Sequence, residues 1–439
     1  MHRLALISDH ASPLAAAGGV DSGGQNIYVA QVARHLSRLG YRVDVYTRRD
    51  DPSQPEVLHW EDDVRVIHVP AGPARFVPKE ELLPHMREFS RFFIDRARRH
   101  GGYDLVHANF FMSGLVALRA RAVLGIPFAI TFHALGLVRR MHQREADRFP
   151  PMRIDIEQRL VREADRLVAE CPQDAEDLRT LYGASPDRID VVPCGFDADE
   201  FLPVGRETAR AALGLPVHER LVLQLGRMVP RKGVDNVVRG VARLRRDHGI
   251  DARLLVVGGE SDTPDPSLTP EIGRLAGIAR EEGVQDLVTF TGRRGREVLR
   301  FYYAAADVFV TTPWYEPFGI TPLEAMACGT PVVGSDVGGI KFSVAHGETG
   351  YLVPPNDPDA LAQRVAQLFL QPELARDMGL AAVRRAQERF TWAGVANQLA
   401  ALFDATVQPR SAVRARAGLG RGAPAGSGLH AGLAARARS

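Results

Sequence analysis

The sequence predicts an α/β protein with two domains, each built on a parallel sheet. Short apolar runs alternate with helical patterns along the 439 residues, and this alternation is typical of parallel strands covered by helices. The runs fall into two successive series. A chain of this length also holds two core-forming domains. We therefore predict two Rossmann-like domains that face each other across a cleft.

The first series of apolar runs predicts the strands of an N-terminal domain, residues 1–203, and the second those of a C-terminal domain, residues 204–390. The first series is Leu4–Ile7, Val43–Tyr46, Val64–Val69, Leu105–His107, Phe128–Phe132, Arg166–Ala169 and Ile189–Val192. The second is Leu221–Leu225, Leu254–Val257, Val288–Thr291, Val308–Thr311, Val332–Ser335 and Gly350–Val353. The hinge between the domains is expected near residues 193–203.

The end of the chain predicts one more helix followed by a disordered tail. Residues 391–409 have a helical pattern. Residues 410–439 are rich in Ala, Gly and Arg, with six arginines and no acidic residue. They contain hardly any large apolar side chain and cannot bury enough surface to fold.

Composition limits the environment and the partners. The formal charge is +2, and without the six arginines of the tail it becomes −4, so a basic face for nucleic acid is not expected. Cys171, Cys194 and Cys328 have neither metal nor disulfide spacing, which fits a reducing compartment and predicts a cytoplasmic protein. No apolar run is long enough to span a bilayer. The basic stretch Met86–Arg99 is interpreted as a helix with a solvated face, and peripheral membrane contact stays open.

The most informative motif holds two carboxylates, Glu316 and Glu324, on either side of Gly319. Glu316 follows a predicted strand, and Glu324 falls on a helix expected to start near Gly319 and to end at Gly329. Backbone N–H groups at the start of a helix favour an anion. Carboxylates on both sides of that anion suit the hydroxyls of a ribose and a hexose. The segment therefore predicts a site for a nucleotide sugar.

This segment resembles the donor-binding signature of retaining glycosyltransferases with the GT-B fold, of the family 4 type. The matching runs are Glu-Pro-Phe-Gly at 316–319, Glu-Ala-Met-Ala at 324–327 and Gly-Thr-Pro-Val-Val at 329–333. The resemblance implies that Glu316 contacts the transferred sugar and that Glu324 holds the ribose hydroxyls. The implied donor-binding residues here are Glu316, Phe318, Gly319, Ile320 and Glu324.

Two basic loops of the second domain complete the expected donor site. Arg227 and Lys232 lie in a glycine-bounded loop between a predicted strand and a helix. Two cations there can offset the charge that grows on a departing diphosphate, and the resemblance assigns them that role. It also places the nucleobase at Arg294 and its neighbours, largely against backbone. UDP as the nucleotide rests on that analogy.

In the first domain, a glycine cluster at residues 18–24 lies between the first strand and the first helix. Its spacing does not meet the Gly-x-Gly-x-x-Gly dinucleotide fingerprint. The resemblance brings this loop, including Gly23 and Gly24, over the diphosphate and implies that Gln25 and Asn26 contact the acceptor. It likewise implies that His133 contacts the donor sugar at the reaction centre.

The acceptor is less well defined by the sequence. The chain resembles mycothiol-pathway inositol-phosphate glucosaminyltransferases and, more loosely, sucrose-phosphate synthases, which implies that Lys79 and Arg153 grip an acceptor phosphate. Two polar partners of the inositol-phosphate enzymes are replaced, a Tyr by Phe110 or Phe111 and a Thr by Ala134. Losing those hydroxyls removes hydrogen bonds to a charged group, so phosphorylated and unphosphorylated acceptors both stay open.

Together these patterns predict a retaining hexosyltransferase that moves sugar from a nucleotide sugar to a small polyol or sugar acceptor. The expected catalytic residues are His133, Arg227, Lys232 and Glu316. The pair Asp197 and Asp199 has the form of a metal site but is interpreted as a turn, and no metal is expected. Alternatives are a nucleotide-sugar epimerase, a non-catalytic binder of nucleotide sugars, and a nicotinamide dehydrogenase, which the missing fingerprint disfavours.

Overall fold

The computed structural model describes residues 2–15 and 23–418. Within them the chain forms two α/β domains, each built on one predominantly parallel sheet with helices packed against it. The strands of the first domain are β1 Arg3–Ile7, β2 Arg42–Arg48, β3 Val57–Glu61, β4 Val64–Val69, β5 Leu105–Asn109, β6 Phe128–Thr131, β7 Arg166–Ala169 and β8 Ile189–Val191. Those of the second are β9 Leu221–Leu225, β10 Arg253–Val257, β11 Val288–Gly292, β12 Val308–Thr311, β13 Val332–Ser335 and β14 Gly350–Val353.

The helices that connect and cover these strands alternate with them along the chain. They are α1 Gly24–Arg38, α2 Met86–Arg99, α3 Phe111–Leu124, α4 Gly136–Gln143, α5 Met152–Glu163, α6 Pro172–Tyr182, α7 Arg206–Leu213, α8 Val234–His248, α9 Pro270–Glu281, α10 Arg296–Ala305, α11 Thr321–Ala327, α12 Ile340–Ser343, α13 Pro358–Leu370, α14 Pro372–Arg389 and α15 Trp392–Gly418. Among the described helices, none is both long and apolar enough to cross a bilayer.

The strand order in both sheets creates a crevice at the carboxyl ends of the strands. The first sheet has the order β3-β4-β2-β1-β5-β6-β7-β8, and the second has β11-β10-β9-β12-β13-β14. The direction of winding reverses beside β1 in the first sheet and beside β9 in the second. Ligands of open α/β sheets bind at such switch points, and here both switch points border the same cleft.

The predicted strands agree with the structure to within two residues at each end, and the sequence reading missed one strand, β3. This strand pairs with β4 in an antiparallel hairpin at the edge of the first sheet. Its residues are exposed or half-buried, so it lacks the continuous apolar run of a central strand. The turn residue Asp63 adopts φ 57°, a left-handed conformation that Asp tolerates better than most residues.

Helix α15 lies where the sequence predicts a final helix, and it crosses back from the second domain onto the first. The Tyr41 hydroxyl donates to Asp404 Oδ1 at 2.6 Å. The ring centroids of Trp392 and Tyr28 lie 5.8 Å apart, with the rings edge to face. The helix is assigned to Gly418, and the disordered tail predicted for residues 410–439 stays a prediction. Residues 419–439 lie outside the described residues.

The two chain crossings between the domains run side by side. The N–H of Phe196 donates to the carbonyl of Phe390 at 2.8 Å, and the N–H of Trp392 donates to the carbonyl of Phe196 at 3.3 Å. The first crossing lies within the predicted hinge at residues 193–203. Because the two crossings lie side by side, both can bend about the same hinge when the domains move.

Candidate functional site

The carboxyl ends of both sheets face a cleft of about 350 Å³ between the domains. Nearly all residues predicted for the site line this cleft. They are Gly23, Gly24, Gln25, Asn26, Lys79, His133, Arg227, Lys232, Arg294, Glu316, Phe318, Gly319, Ile320 and Glu324. Arg153 is the exception, and residues 18–22 of the predicted glycine cluster lie outside the described residues.

Glu316 is held by two cations at the end of β12. Its Oε2 accepts from Lys232 Nζ at 2.5 Å and from Arg231 Nη1 at 3.3 Å. Burial alone would raise the pKa of Glu316, but Lys232, Arg231 and Arg227 outweigh it and lower the pKa to about 2. Burial lowers the pKa of Lys232, and Glu316 opposes that change. The sequence analysis missed Arg231, which adjoins Lys232 and also donates to the carbonyl of Tyr315 at 3.1 Å.

Gly233 explains why the Lys232 loop can lie so close to β12. Its φ is +63°, and a Cβ atom there would stand 2.0 Å from the carbonyl oxygen of Thr312. No larger residue fits without moving the backbone. The glycine therefore lets Lys232 approach Glu316, which lies four residues beyond Thr312.

Glu324 lies on α11 at the other end of the motif and is almost fully buried. It accepts from the Tyr303 hydroxyl at 2.8 Å and from Arg296 Nη1 at 3.3 Å. Burial raises the pKa of Glu324, and Arg296 and Tyr303 oppose that rise. Arg296 also donates to Glu200 of the interdomain segment at 2.5 Å. Neither Arg296 nor Tyr303 was predicted, because α10 reads as an ordinary amphipathic helix.

The turn between the two glutamates is shaped by glycines from two loops. Gly319 has φ +94°, and α11 starts two residues later, at Thr321. A Cβ atom on Gly338 would stand 1.8 Å from the carbonyl oxygen of Glu316. This close packing holds the 316–320 backbone against the cleft.

The described part of the glycine loop in the first domain reaches the second domain. A Cβ atom on Gly23 would stand 4.0 Å from the Arg227 guanidinium carbon, and one on Gly24 would stand 3.6 Å from Ile320. Asn26 secures the loop, since its Oδ1 accepts from the N–H of Gly23 at 3.0 Å and its Nδ2 donates to Ser12 at 2.9 Å. Gln25 Nε2 donates to Ser8 Oγ at 3.2 Å. The loop therefore closes over the second-domain wall of the cleft near Arg227 and Ile320.

His133 follows β6 with a positive φ of 58°, in the left-handed region that His adopts more often than most residues. Its Nδ1 lies 2.9 Å from Glu170 Oε1, and its Nε2 lies 3.1 Å from Asn109 Oδ1. Glu170 also lines the cleft. The sequence analysis missed it because one acidic residue after a strand carries no pattern.

Arg153 lies behind the cleft wall, against Ala134, Phe110 and Phe149, which line the cleft. Its predicted role in gripping an acceptor phosphate stays a prediction. Its side chain is 1% exposed and pairs with Glu157 at 2.7 Å on the same helix, α5. The guanidinium lies over the rings of Phe110, Phe111 and Phe149 at 4.6–4.9 Å. It also donates to the carbonyl of Ala134. Because Glu157 lies one helical turn away, its carboxylate pairs with the guanidinium of Arg153.

The remaining predicted features have local partners. Arg294 donates to the Tyr302 hydroxyl at 3.0 Å and to the carbonyl of Asp262 at 2.6 Å, so it braces the loop after β11 where the nucleobase is expected. Asp197 accepts from the N–H of Asp199 at 3.0 Å and from Gln31 at 3.0 Å. These bonds make the 197–199 segment a turn, in agreement with its interpretation from sequence.

Two parallel-sheet domains with facing carboxyl edges, and a cleft with buried acids and cations on one wall, define the GT-B class of sugar-transferring enzymes. The family model described as Glycosyltransferase Family 4 matches residues 22–200, and the one described as Glycosyl transferases group 1 matches residues 205–385. The chain belongs to this family of glycosyltransferases. The family predicted from the motifs is thereby confirmed, and the matches favour a glycosyltransferase over an epimerase, a dehydrogenase or a non-catalytic binder.

Similar proteins cover nearly the whole chain. D-inositol 3-phosphate glycosyltransferase of Corynebacterium efficiens is 39% identical over 91% of this chain and 95% of its own length. The protein of the same description from Kineococcus radiotolerans is 37% identical over 94% and 98%. Sucrose-phosphate synthase from Thermosynechococcus elongatus superposes with a TM-score of 0.85 at 36% identity, over 94% and 100% of the two chains. Anabaena HepE, solved with UDP and glucose, shares the fold with a TM-score of 0.70 at 20% identity, over 92% of this chain and 100% of its own.

Proposed function

We propose that this glycosyltransferase moves a hexosyl group from a nucleotide sugar, with UDP-sugars as the favoured donors, to a hydroxyl of a small polyol or sugar. The proposed reaction retains the anomeric configuration and needs no metal ion. The observation that carries the proposal is the second-domain wall of the cleft. There Glu316 with Lys232 and Arg231 lies on one side of Gly319, and Glu324 with Arg296 lies on the other.

This wall suits the two ends of a nucleotide sugar. A hexose hydroxyl can donate to the ionised Glu316, while the diphosphate competes for the cations that now neutralise this acid. The buried Glu324 can accept from ribose hydroxyls, as carboxylates of such sites do. Arg227 and Lys232 can then offset the negative charge that develops as the sugar–oxygen bond to the diphosphate breaks.

In the proposed step the acceptor oxygen attacks the anomeric carbon on the face from which the diphosphate departs. A bond forms between that oxygen and the anomeric carbon as the bond to the diphosphate breaks. The proton of the acceptor hydroxyl passes to a diphosphate oxygen, so charge and atoms balance without a further base. Domain closure would exclude water, whose attack on the donor is the competing reaction.

The acceptor is proposed to bind along the first-domain wall, near Gln25 and Lys79, which line the cleft. The relatives described as D-inositol 3-phosphate glycosyltransferases support inositol phosphate as the first acceptor to test, and the sucrose-phosphate synthase neighbour supports a hexose phosphate as the second. Lys79, which lines the cleft, is a better candidate for an acceptor phosphate than Arg153, whose charge Glu157 neutralises.

The experiment is a release assay for nucleoside diphosphate. UDP-glucose, UDP-N-acetylglucosamine, ADP-glucose and GDP-mannose are each offered with inositol phosphate, fructose 6-phosphate, fructose or no acceptor. We expect release that depends on one donor and one acceptor, with a retained anomeric configuration by NMR and unchanged rates in EDTA. Conversion of the donor without any acceptor would favour an epimerase. An inverted product would contradict the proposed step, and lost donor binding would contradict the donor site itself.

A further inference from the structure

Helix α4 of the first domain ends against the segment of the second domain that carries Glu316. The rings of His142, near the end of α4, and Tyr315 stack nearly parallel, with their centroids 4.9 Å apart and their planes at 17°. The His142 ring also lies 6.4 Å from that of Trp314. Tyr315 is 7% exposed and immediately precedes Glu316. This aromatic contact therefore joins the two domains directly beside the buried acid of the second-domain wall.

The second-domain side of this contact is fixed to the loop that carries Lys232. Arg231 Nη1 donates to the carbonyl of Tyr315 at 3.1 Å and to Glu316 Oε2 at 3.3 Å. The N–H of Trp314 donates to the carbonyl of Arg231 at 3.2 Å. Because one arginine holds both residues, the position of the Tyr315 ring is tied to that of the Glu316 carboxylate.

The first-domain side of the contact is fixed at the start of α4. The N–H of Gly136 donates to Glu157 Oε2 at 2.9 Å, which satisfies a group that has no partner within the helix. Two other residues of α4, Arg139 and Gln143, line the cleft. The same short helix therefore carries part of the first-domain wall and, at His142, the ring that reaches the second domain.

The segment around Tyr315 touches the first domain at a second place. Two residues beyond Tyr315, the carbonyl oxygen of Pro317 lies 3.6 Å from Cys171 Sγ of the first domain. A contact that forms only when two domains lie close together favours the closed arrangement by its own free energy. Because the His142 side chain is exposed, it can be replaced without disturbing the core of the first domain.

We propose that His142 is a positioning residue for sugar transfer: its stack on Tyr315 holds the cleft closed beside Glu316. Closure brings the first-domain wall against the sugar at Glu316 and excludes water, whose attack on the donor competes with transfer. Without the stack the domains separate more often, and a larger share of the donor is hydrolysed. The effect on transfer rests on the proposed function, whereas the contact between the domains does not.

The first experiment detects the contact directly. The full-length protein is prepared with protonated His and Tyr in a deuterated background, and His142→Gln and Tyr315→Phe identify the signals. In a ¹H–¹H NOESY spectrum of the free protein, we expect cross-peaks between the ring protons of His142 and those of Tyr315. Their absence would overturn the proposal, whatever the activity of the protein.

The second experiment measures transfer and hydrolysis with the donor and acceptor found by the release assay. His142→Ala should lower kcat for transfer roughly 3–10-fold, the usual worth of one aromatic pair, and raise the ratio of hydrolysis to transfer by a similar factor. The affinity for UDP should stay nearly unchanged. His142→Phe, which keeps a ring for stacking, should restore the rate and the ratio. Met141→Ala, at a 64% exposed position on the same helix, is the matched control.

Further results would separate a positioning role from a structural one. If His142 acts through Tyr315, adding His142→Ala to Tyr315→Leu should lower kcat little further. An additive loss, an unchanged ratio of hydrolysis to transfer, or a His142→Phe protein as slow as His142→Ala would contradict the proposal. If no donor and acceptor pair turns over, the proposed function fails, and the NOESY spectrum still decides whether the domains touch at His142.

Discussion

In the second domain, the charged side chains at and beside Glu316 come from two short stretches of chain, residues 227–232 and 316–324, whereas in the first domain the polar side chains around His133 come from the ends of three neighbouring strands. Lys232 and Glu316 lie 84 residues apart and meet because their loops follow the neighbouring strands β9 and β12. Asn109, His133 and Glu170 lie 24 and 37 residues apart, and they also meet because their strands are neighbours in the sheet. The difference is that Lys232 and Glu316 each belong to a contiguous motif, whereas each first-domain residue stands alone in its segment.

The two walls also hold their arginines differently. Arg231 is half-buried at the cleft and shares Glu316 with Lys232, so a ligand phosphate can take over part of its bonding. Arg153 is sequestered behind three aromatic rings with its own carboxylate. The comparison teaches that the residue type alone does not show whether a basic side chain is available to a ligand. The loop in which it lies is the better guide.

The largest effect should come from removing a cation from the second-domain wall of the cleft. We expect Lys232→Ala to lower kcat roughly 10²–10³-fold while weakening UDP binding less than tenfold, because the charge it offsets is greatest in the transition state. Steady-state rates and calorimetry with UDP measure the two quantities. Lys341→Ala, at an exposed lysine outside the cleft, is the control. A loss of UDP affinity with an unchanged kcat would show that Lys232 serves only ground-state binding.

The counterpart on the first-domain wall is Arg153→Ala, which should act on stability and not on acceptor binding. Removing one partner of a buried ion pair leaves Glu157 uncompensated and should cost about 3–5 kcal/mol of unfolding free energy. Lys79→Ala should leave the melting temperature unchanged and raise the KM of a phosphorylated acceptor. Calorimetric melts and acceptor titrations test both. A stable Arg153→Ala protein with a raised acceptor KM would return Arg153 to the acceptor site.

A smaller effect is expected at Glu324, the proposed ribose-binding residue of the second-domain wall. Glu324→Ala should weaken UDP binding by about 2 kcal/mol, or roughly 30-fold, since it removes hydrogen bonds to a charged acceptor. Calorimetric titration with UDP measures the change, with Glu348→Ala at an exposed position as the control. Unchanged affinity for UDP would refute the ribose role of Glu324.

The smallest effect concerns pH and sharpens the description of the first-domain wall. Burial, followed by the neighbouring Glu170, raises the pKa of Asp174 from 3.8 to about 8. Between these values the folded state keeps a proton that the unfolded state has lost, so stability should fall as pH rises from 4 to 8. Asp174→Asn removes this contribution. Thermal melts should show the variant gaining roughly 2 °C or more over the parent between pH 5 and pH 8, and a constant difference would contradict the shifted Asp174.

Most of the fold could be predicted because central parallel strands are continuous apolar runs, and such runs carry their own signal. The edge strand β3 could not, because its half-exposed residues lack that signal. The tail is a different case, because a composition of Ala, Gly and Arg with hardly any large apolar residue predicts no packed structure, and that expectation stays a prediction.

The sequence by itself predicted that Arg227, Lys232, Glu316 and Glu324 lie together on the second-domain wall, because they belong to two contiguous motifs, and the structure brings all four to the cleft. It did not determine partners that come from elsewhere in the chain: Arg296 for Glu324, Glu170 for His133 and Glu157 for Arg153. Those contacts depend on strand order and on how helices pack over a sheet. The sequence shows only that such a residue is charged. Whether its side chain faces the cleft or pairs with a carboxylate depends on the tertiary structure.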